Sequence, residues 1–123
     1  KILNNGINLM IKEFSSSVED IIVCIGPSIM GCCFEVDKDV VDMFNNGFTN
    51  IEEFIKLGEI KDGKQKYYID TIGINKRELI NLGILEENIY LSNVCTKCSS
   101  DTYYSYRVQG QDSGRNVTLV CMK

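Results

Sequence analysis

Residues 67–91 read YYIDTIGINKRELINLGILEENIYL. Tyr67 to Ile69 is a short aromatic and β-branched run that predicts a strand. From Thr71 to Leu82, Ile72, Ile74, Leu79, Ile80 and Leu82 recur among polar residues, which predicts a helix, and Gly83 supplies its stop. Ile89 to Leu91 predicts a second strand. Upstream, Ile2, Leu3, Ile7, Met10, Ile11 and Phe14 lie at helical spacing, and Ser15-Ser16-Ser17 ends that helix. Ile21 to Ile25 reads as a buried strand stopped by Gly26-Pro27-Ser28. Asp37 is placed to cap a helix carrying Val40, Val41, Met43 and Phe44, closed by Asn45-Asn46-Gly47. Thr49 or Asn50 can cap a second short helix with Ile51, Phe54, Ile55 and Leu57 on one side, and Asp62-Gly63 marks a turn. Downstream, residues 93–115 are polar with little periodicity, and Val117 with Thr118–Met122 predicts a last strand. Helices and strands alternate over 1–123 with no repeat or boundary, so a single α/β (α+β layered) domain is expected.

The 123 residues are enough to bury a real core. The formal net charge of -4 argues against broad contact with nucleic-acid phosphates. It leaves room for a small phosphate-bearing substrate, for which one or two placed arginines suffice. No apolar run reaches the roughly 18 residues of a membrane-spanning helix, and no signal peptide is read, so no membrane partner is expected. The chain starts at Lys1, inside a helix-like pattern, and upstream sequence is expected. Histidine is absent. Within this chain that excludes a Ser-His-Asp triad, a Cys-His dyad and any histidine metal ligand. Six cysteines are present, and compartment logic favours reduced, cytoplasmic thiols over a disulfide framework.

Three segments can carry chemistry. Ile25 to Val36 runs from a strand into a glycine-containing loop, where α/β folds commonly place ligands. Its paired Cys32 and Cys33, beside Glu35, read either as metal ligands or reactive groups, or as small thiols lining a turn. Cys95-Thr96-Lys97-Cys98 is a lone CxxC, open to metal, redox or purely packing roles. Cys32 and Cys33 would complete four thiolates only if the fold brings them there, and adjacent cysteines chelate poorly. The third segment places Tyr103, Tyr104, Tyr106 and Arg107 before Gly110, Gly114 and Arg115. It reads as an anion-gripping loop or as a solvated hairpin with tyrosines packed on the sheet. Asp70, Asn75, Lys76 and Arg77 read as the wet face of their helix.

Taken together, IGPSIMGCCFEV at 25–36, Tyr68-Ile69-Asp70 running into Asn75-Lys76-Arg77-Glu78-Leu79 and Leu82-Gly83-Ile84, and Val94-Cys95-Thr96-Lys97-Cys98-Ser99-Ser100-Asp101 followed by Tyr104-Ser105-Tyr106-Arg107 and Gly114-Arg115 resemble one family. It is the laccase-domain, or YfiH-type, family, also called polyphenol oxidase or peptidoglycan-editing-factor proteins. The resemblance covers essentially the whole chain and implies the C-terminal part of a mixed-sheet sandwich with helices on its outer faces. It implies a zinc enzyme that cleaves purine nucleosides with phosphate, with adenosine deaminase and methylthioadenosine-cleaving activities. Copper is the metal of the older phenol-oxidase description.

The resemblance places the metal ligands, two histidines and a cysteine, and the catalytic groups in an N-terminal half. None of these matches a position of this chain, so no metal ligand is assigned here and that half is an expected partner. Arg107 is carried over as the first anion-binding residue, with Arg115 and Arg77 next; each reads equally as a structural arginine that pins loops through backbone carbonyls. Cys33, Glu35 and Asn75 are carried over as lining or bracing the site. Glu78 stands where the family usually has Gln, and Val108-Gln109 where it has Arg-Asp, which removes one positive charge from the loop. Two other readings stand beside this one: a non-catalytic binding or regulatory module, and a structural zinc or thiol redox protein.

Overall fold

The computed structural model describes residues 2–121. In chain order the elements are α1 (Ile2–Phe14), β1 (Val23–Ile25), β2 (Glu35–Val36), α2 (Lys38–Gly47), β3 (Ile55–Lys61), β4 (Lys64–Ile69), α3 (Thr71–Asn81), β5 (Ile89–Leu91) and α4 (Tyr106–Gln109). The expected mixture of helices and strands forms, with both parallel and antiparallel pairing.

β1 and β5 pair in parallel, Val23 opposite Ile89 and Ile25 opposite Leu91. Ile7 of α1 and Leu79 of α3 pack on their inner face with Ile21, Val23, Ile84 and Ile89. Burial alternates here, with Ile21 and Val23 inside and Ile22 and Cys24 outside. The run expected to be wholly buried is therefore covered on one face only among the described residues.

The second sheet is antiparallel, in the order β2-β4-β3. Val36, Val41, Ile51, Ile69 and Ile74 form its core beneath α2 and α3. α3 serves both cores: Ile74 belongs to one and Leu79, a turn and a half later, to the other. Its ends are well made. Asp70 accepts a hydrogen bond from the Gly73 backbone N–H at 3.1 Å. At the other end Gly83 takes φ +93°, and the Ile84 N–H donates to the Leu79 carbonyl at 3.1 Å. That is a Schellman closure whose following residue, Ile84, is itself buried against Leu79.

Four expectations are corrected. Residues 51–57 do not form a helix. Glu52–Phe54 makes a single 3-10 turn, and the chain then enters β3. Ile51, Phe54, Ile55 and Leu57 fit helical spacing, but the two-residue Asp62-Gly63 turn has positive φ at both positions and folds β3 back on β4. Asp37 does precede α2, yet its side chain makes no cap bond and instead accepts from Lys66. The polar segment forms no hairpin, but a chain of turns and the short α4. Residues 117–121 form no strand and are exposed, because they find no strand to pair with among the described residues; Met122 lies outside them.

Candidate functional site

The parallel pairing of β1 and β5 sends both chains out of the sheet in the same direction. Their association continues past the strand ends: Ser28 N–H donates to the Val94 carbonyl at 3.3 Å, and Thr96 N–H to the Ser28 carbonyl at 3.0 Å. The Gly31–Cys33 turn is thus laid beside Cys95–Cys98, at the carboxyl edge where α/β folds bind ligands. Gly31 passes close to the chain just before α3, since a Cβ there would lie 3.0 Å from the Asp70 Cβ.

The sulfur atoms of Cys32, Cys33, Cys95 and Cys98 all lie within 4.8 Å of one another and could hold a metal ion. The Cys33 and Cys98 sulfurs are 3.4 Å apart, and those of Cys32 and Cys98 3.8 Å. Adjacent cysteines in a strand point to opposite faces, but these two sit in a turn and converge. The sequence alone assigned no metal ligand here; four thiols are nevertheless gathered. Burial, then the bond to Cys98, pushes the Cys33 thiol up to about 12, and burial likewise raises Cys32. For Cys95 burial opposes ionisation. Hydrogen bonds from the backbones of Cys98, Met30 and Lys97 together outweigh it and bring the thiol down to about 6. Cys24 and Cys121 stand apart and exposed.

Next to the thiols the chain emerges as β2. Glu35 accepts from Lys61 at 2.6 Å and from the Tyr68 hydroxyl at 2.8 Å. Those two bonds, that from Lys61 foremost, hold its carboxyl below the usual carboxylate range. Tyr68 also lines an open cleft of about 600 Å³ with Met30, Cys32, Phe54, Lys56 and Asp70. Glu35 lines a second recess of about 330 Å³ with Asp37, Asp39, Lys66 and Arg107. The Glu35–Tyr68 hydrogen bond therefore joins the walls of the two openings.

Each arginine singled out in the sequence is held by backbone carbonyls. Arg107 donates to the Glu35 carbonyl at 2.7 Å and lies over the Phe34 ring at 5.4 Å from its centre. Arg77 donates to the carbonyls of Asn50 and Thr49 and to Glu53, and covers the Phe54 ring. Arg115 donates to Ser113 and Gly114 in its own loop. The three share no partner. Cys33 and Glu35 lie at the thiol cluster and the Arg107 recess, and Asn75 lies half-buried on α3. Sequence reasoning did not see Tyr68, Lys61 or Phe34 as partners, because contacts across strands leave no mark in local spacing.

The family model described as multi-copper polyphenol oxidoreductase laccase matches residues 1–123. The chain belongs to that family. It is 35% identical over 107 residues to a purine nucleoside phosphorylase of Bacteroides thetaiotaomicron, covering 86% of this chain and 38% of that protein. It is 31% identical over 108 residues to adenosine deaminase RL5 of an unknown prokaryotic organism, covering 88% and 40%. The crystal structure of the hypothetical protein YfiH from Bacillus licheniformis superposes with a TM-score of 0.71 at 28% identity, covering 84% of this chain and 38% of that one. The laccase-family chain thus spans about two-fifths of the length of these relatives. The YfiH-like layered fold expected from the sequence is the one found.

Proposed function

We propose that this chain is the C-terminal portion of a cytoplasmic purine nucleoside phosphorylase, acting on adenosine or inosine and completed by an N-terminal half. The observation that carries this reading is the family match along the entire chain, joined to relatives whose names state nucleoside phosphorolysis and adenosine deamination. The histidine-containing metal set implied by the resemblance does not fit this chain, which has no histidine and whose convergent donors are all sulfur. No catalytic step is therefore assigned to a metal held here.

In phosphorolysis a phosphate oxygen bonds to the sugar C1′ while the C1′–N bond breaks, and the purine leaves with the bond electrons and a proton. The protein's task is to hold the anion and align it. Arg107 is the residue we assign to that task. It is exposed and spends one N–H on Glu35, leaving the rest of its fork for phosphate oxygens. Two of the nearby carboxylates are engaged by ammonium groups, Glu35 by Lys61 and Asp37 by Lys66, which reduces repulsion of an incoming anion. The open cleft beside Tyr68 has the volume of a small-molecule site and takes the nucleoside. Arg115 and Arg77 act as loop braces, or as further phosphate contacts once the second half is in place.

A binding module without catalysis is the second reading, favoured by one observation: all three arginines are already bonded to backbone carbonyls. The test is purine release from adenosine and inosine, with and without phosphate, by a chain that supplies the family's N-terminal portion ahead of this one. Activity that depends on phosphate and falls at least about 100-fold in Arg107→Ala, roughly the loss of one strong transition-state contact, supports the enzyme reading. Nucleoside binding without release supports the module.

A further inference from the structure

We infer that Cys32, Cys33, Cys95 and Cys98 form a four-thiolate site for one zinc ion, which clasps the loop after β1 to the turn after β5. The site is separate from the histidine-containing set that the family resemblance implies. It stands on the convergence of four sulfurs from two segments more than sixty residues apart in the chain, Cys33 and Cys98 being separated by 65.

The geometry discriminates between metal and disulfide. A tetrahedral ion with metal–sulfur bonds of about 2.3 Å places its sulfurs about 3.8 Å apart. The Cys32–Cys98 separation is 3.8 Å and the Cys33–Cys98 separation 3.4 Å, with every pair inside 4.8 Å. A disulfide needs about 2.05 Å between one chosen pair, and would leave the other two thiols facing it without a role. Four mutually close sulfurs instead describe the coordination shell of a single ion.

The donor chemistry narrows the ion. All four ligand atoms are sulfur, which selects soft or borderline metals and rejects magnesium and calcium. Zinc is redox-inert and takes four thiolates tetrahedrally in closed structural sites. The four sulfurs bind as thiolates, each thiol still protonated giving its proton to solvent as its Zn–S bond forms, and the site keeps a double negative charge.

The clasp has a structural consequence. Cys33 lies two residues before Glu35, whose carbonyl anchors Arg107. Closing the thiol site fixes the strand entry that sets where Arg107 sits, without placing the metal in the reaction.

The experiment titrates the reduced full chain with Co2+ alone under anaerobic conditions, then displaces it with Zn2+. Expected is an intense thiolate-to-cobalt charge-transfer band that saturates at one ion per chain and is bleached by Zn2+. With zinc bound, Cys24 and Cys121 alkylate rapidly and the other four cysteines are protected. Cys98→Ser weakens cobalt binding by more than the roughly 10–100-fold that loss of a supporting outer partner costs. The Cys24→Ser, Cys121→Ser double variant binds as the parent does. Absence of the charge-transfer band in the parent chain, equal alkylation of all six cysteines, or unchanged binding in Cys98→Ser would each overturn the site. Because the band and the protection pattern are read on the unsubstituted chain, a variant that fails to fold does not blunt the test. Neither readout depends on phosphorolysis.

Discussion

Around β4, Ile51, Ile69 and Ile74 are between 0 and 1% exposed, and helices α2 and α3 close the core over them. Around β1 and β5 the inner face is equally apolar, but the outer face carries Ile22 at 64% and Tyr90 at 57% exposure, with Cys24 between them. Parallel pairs are normally covered on both faces, whereas an antiparallel sheet tolerates one wet face. Val117, Leu119 and Val120 add exposed apolar surface nearby in sequence to the site loop. The antiparallel half closes its core beneath α2 and α3, although Leu57 and Ile60 of β3 stand 75% and 70% exposed; the parallel half has its outer face bare among the described residues. The chain spans about two-fifths of its relatives; the thiol cluster lies at the carboxyl edge of the parallel half, while the Arg107 recess is lined by β2, β4 and α2 of the antiparallel half.

α3 is where the comparison can be broken most forcefully. Leu79→Ala and Ile74→Ala each delete a fully buried side chain, one from each core, and each should cost about 2–5 kcal/mol. Urea unfolding followed by circular dichroism should show one transition for both variants, since a single helix carries both residues. Separate transitions for the two halves would mean that α3 does not couple them.

A smaller effect is expected at Gly73. A Cβ there would lie 2.6 Å from the Phe54 ring and 2.8 Å from an Asp70 carboxylate oxygen, so Gly73→Ala should cost about 1–3 kcal/mol through overpacking in the closed half. Differential scanning calorimetry should show a lower Tm and an unchanged site on the Co2+ readout.

Asp37 gives a pH signature of the same half. Its bond to Lys66 holds the carboxyl below the ordinary aspartate value. A depressed folded pKa contributes stability above the unfolded pKa, and this is lost as pH falls through the folded value. Stability should therefore decline on acidification below the ordinary aspartate range, and Lys66→Met should flatten that limb of the curve. The effect is small because the pair is half exposed.

On the open face, Ile22→Ser should change the stability of this chain by no more than about 0.5 kcal/mol. It should reduce any self-association measured by sedimentation, because the apolar patch is interrupted. A large loss of stability would mean that the face is not free.

The sequence made the locally determined parts legible. Ile89–Leu91 and the helix from Thr71 are visible because apolar spacing, a stop at Gly83 and β-branched content agree. β3 was not, because its residues are mostly exposed and show no alternation; only the turn at Asp62-Gly63 and its partner strand define it. The final apolar run was read as a strand from composition, and composition cannot supply a neighbour to pair with. Arg107, Cys33 and Glu35 are singled out by the motifs that carry them, and the fold puts Glu35 and Arg107 on one recess and Cys33 in the thiol cluster. The gathering of Cys32 and Cys33 with Cys95 and Cys98 was not legible, since it depends on parallel pairing of β1 with β5 and on a turn at Gly31.

The most direct test of the account is phosphate-dependent purine release by this chain alone and by the same chain preceded by the family's N-terminal portion. The account predicts release from the joined protein only, lost in Arg107→Ala. Comparable release by this chain on its own would contradict it, and would place the catalytic groups among this chain's own residues.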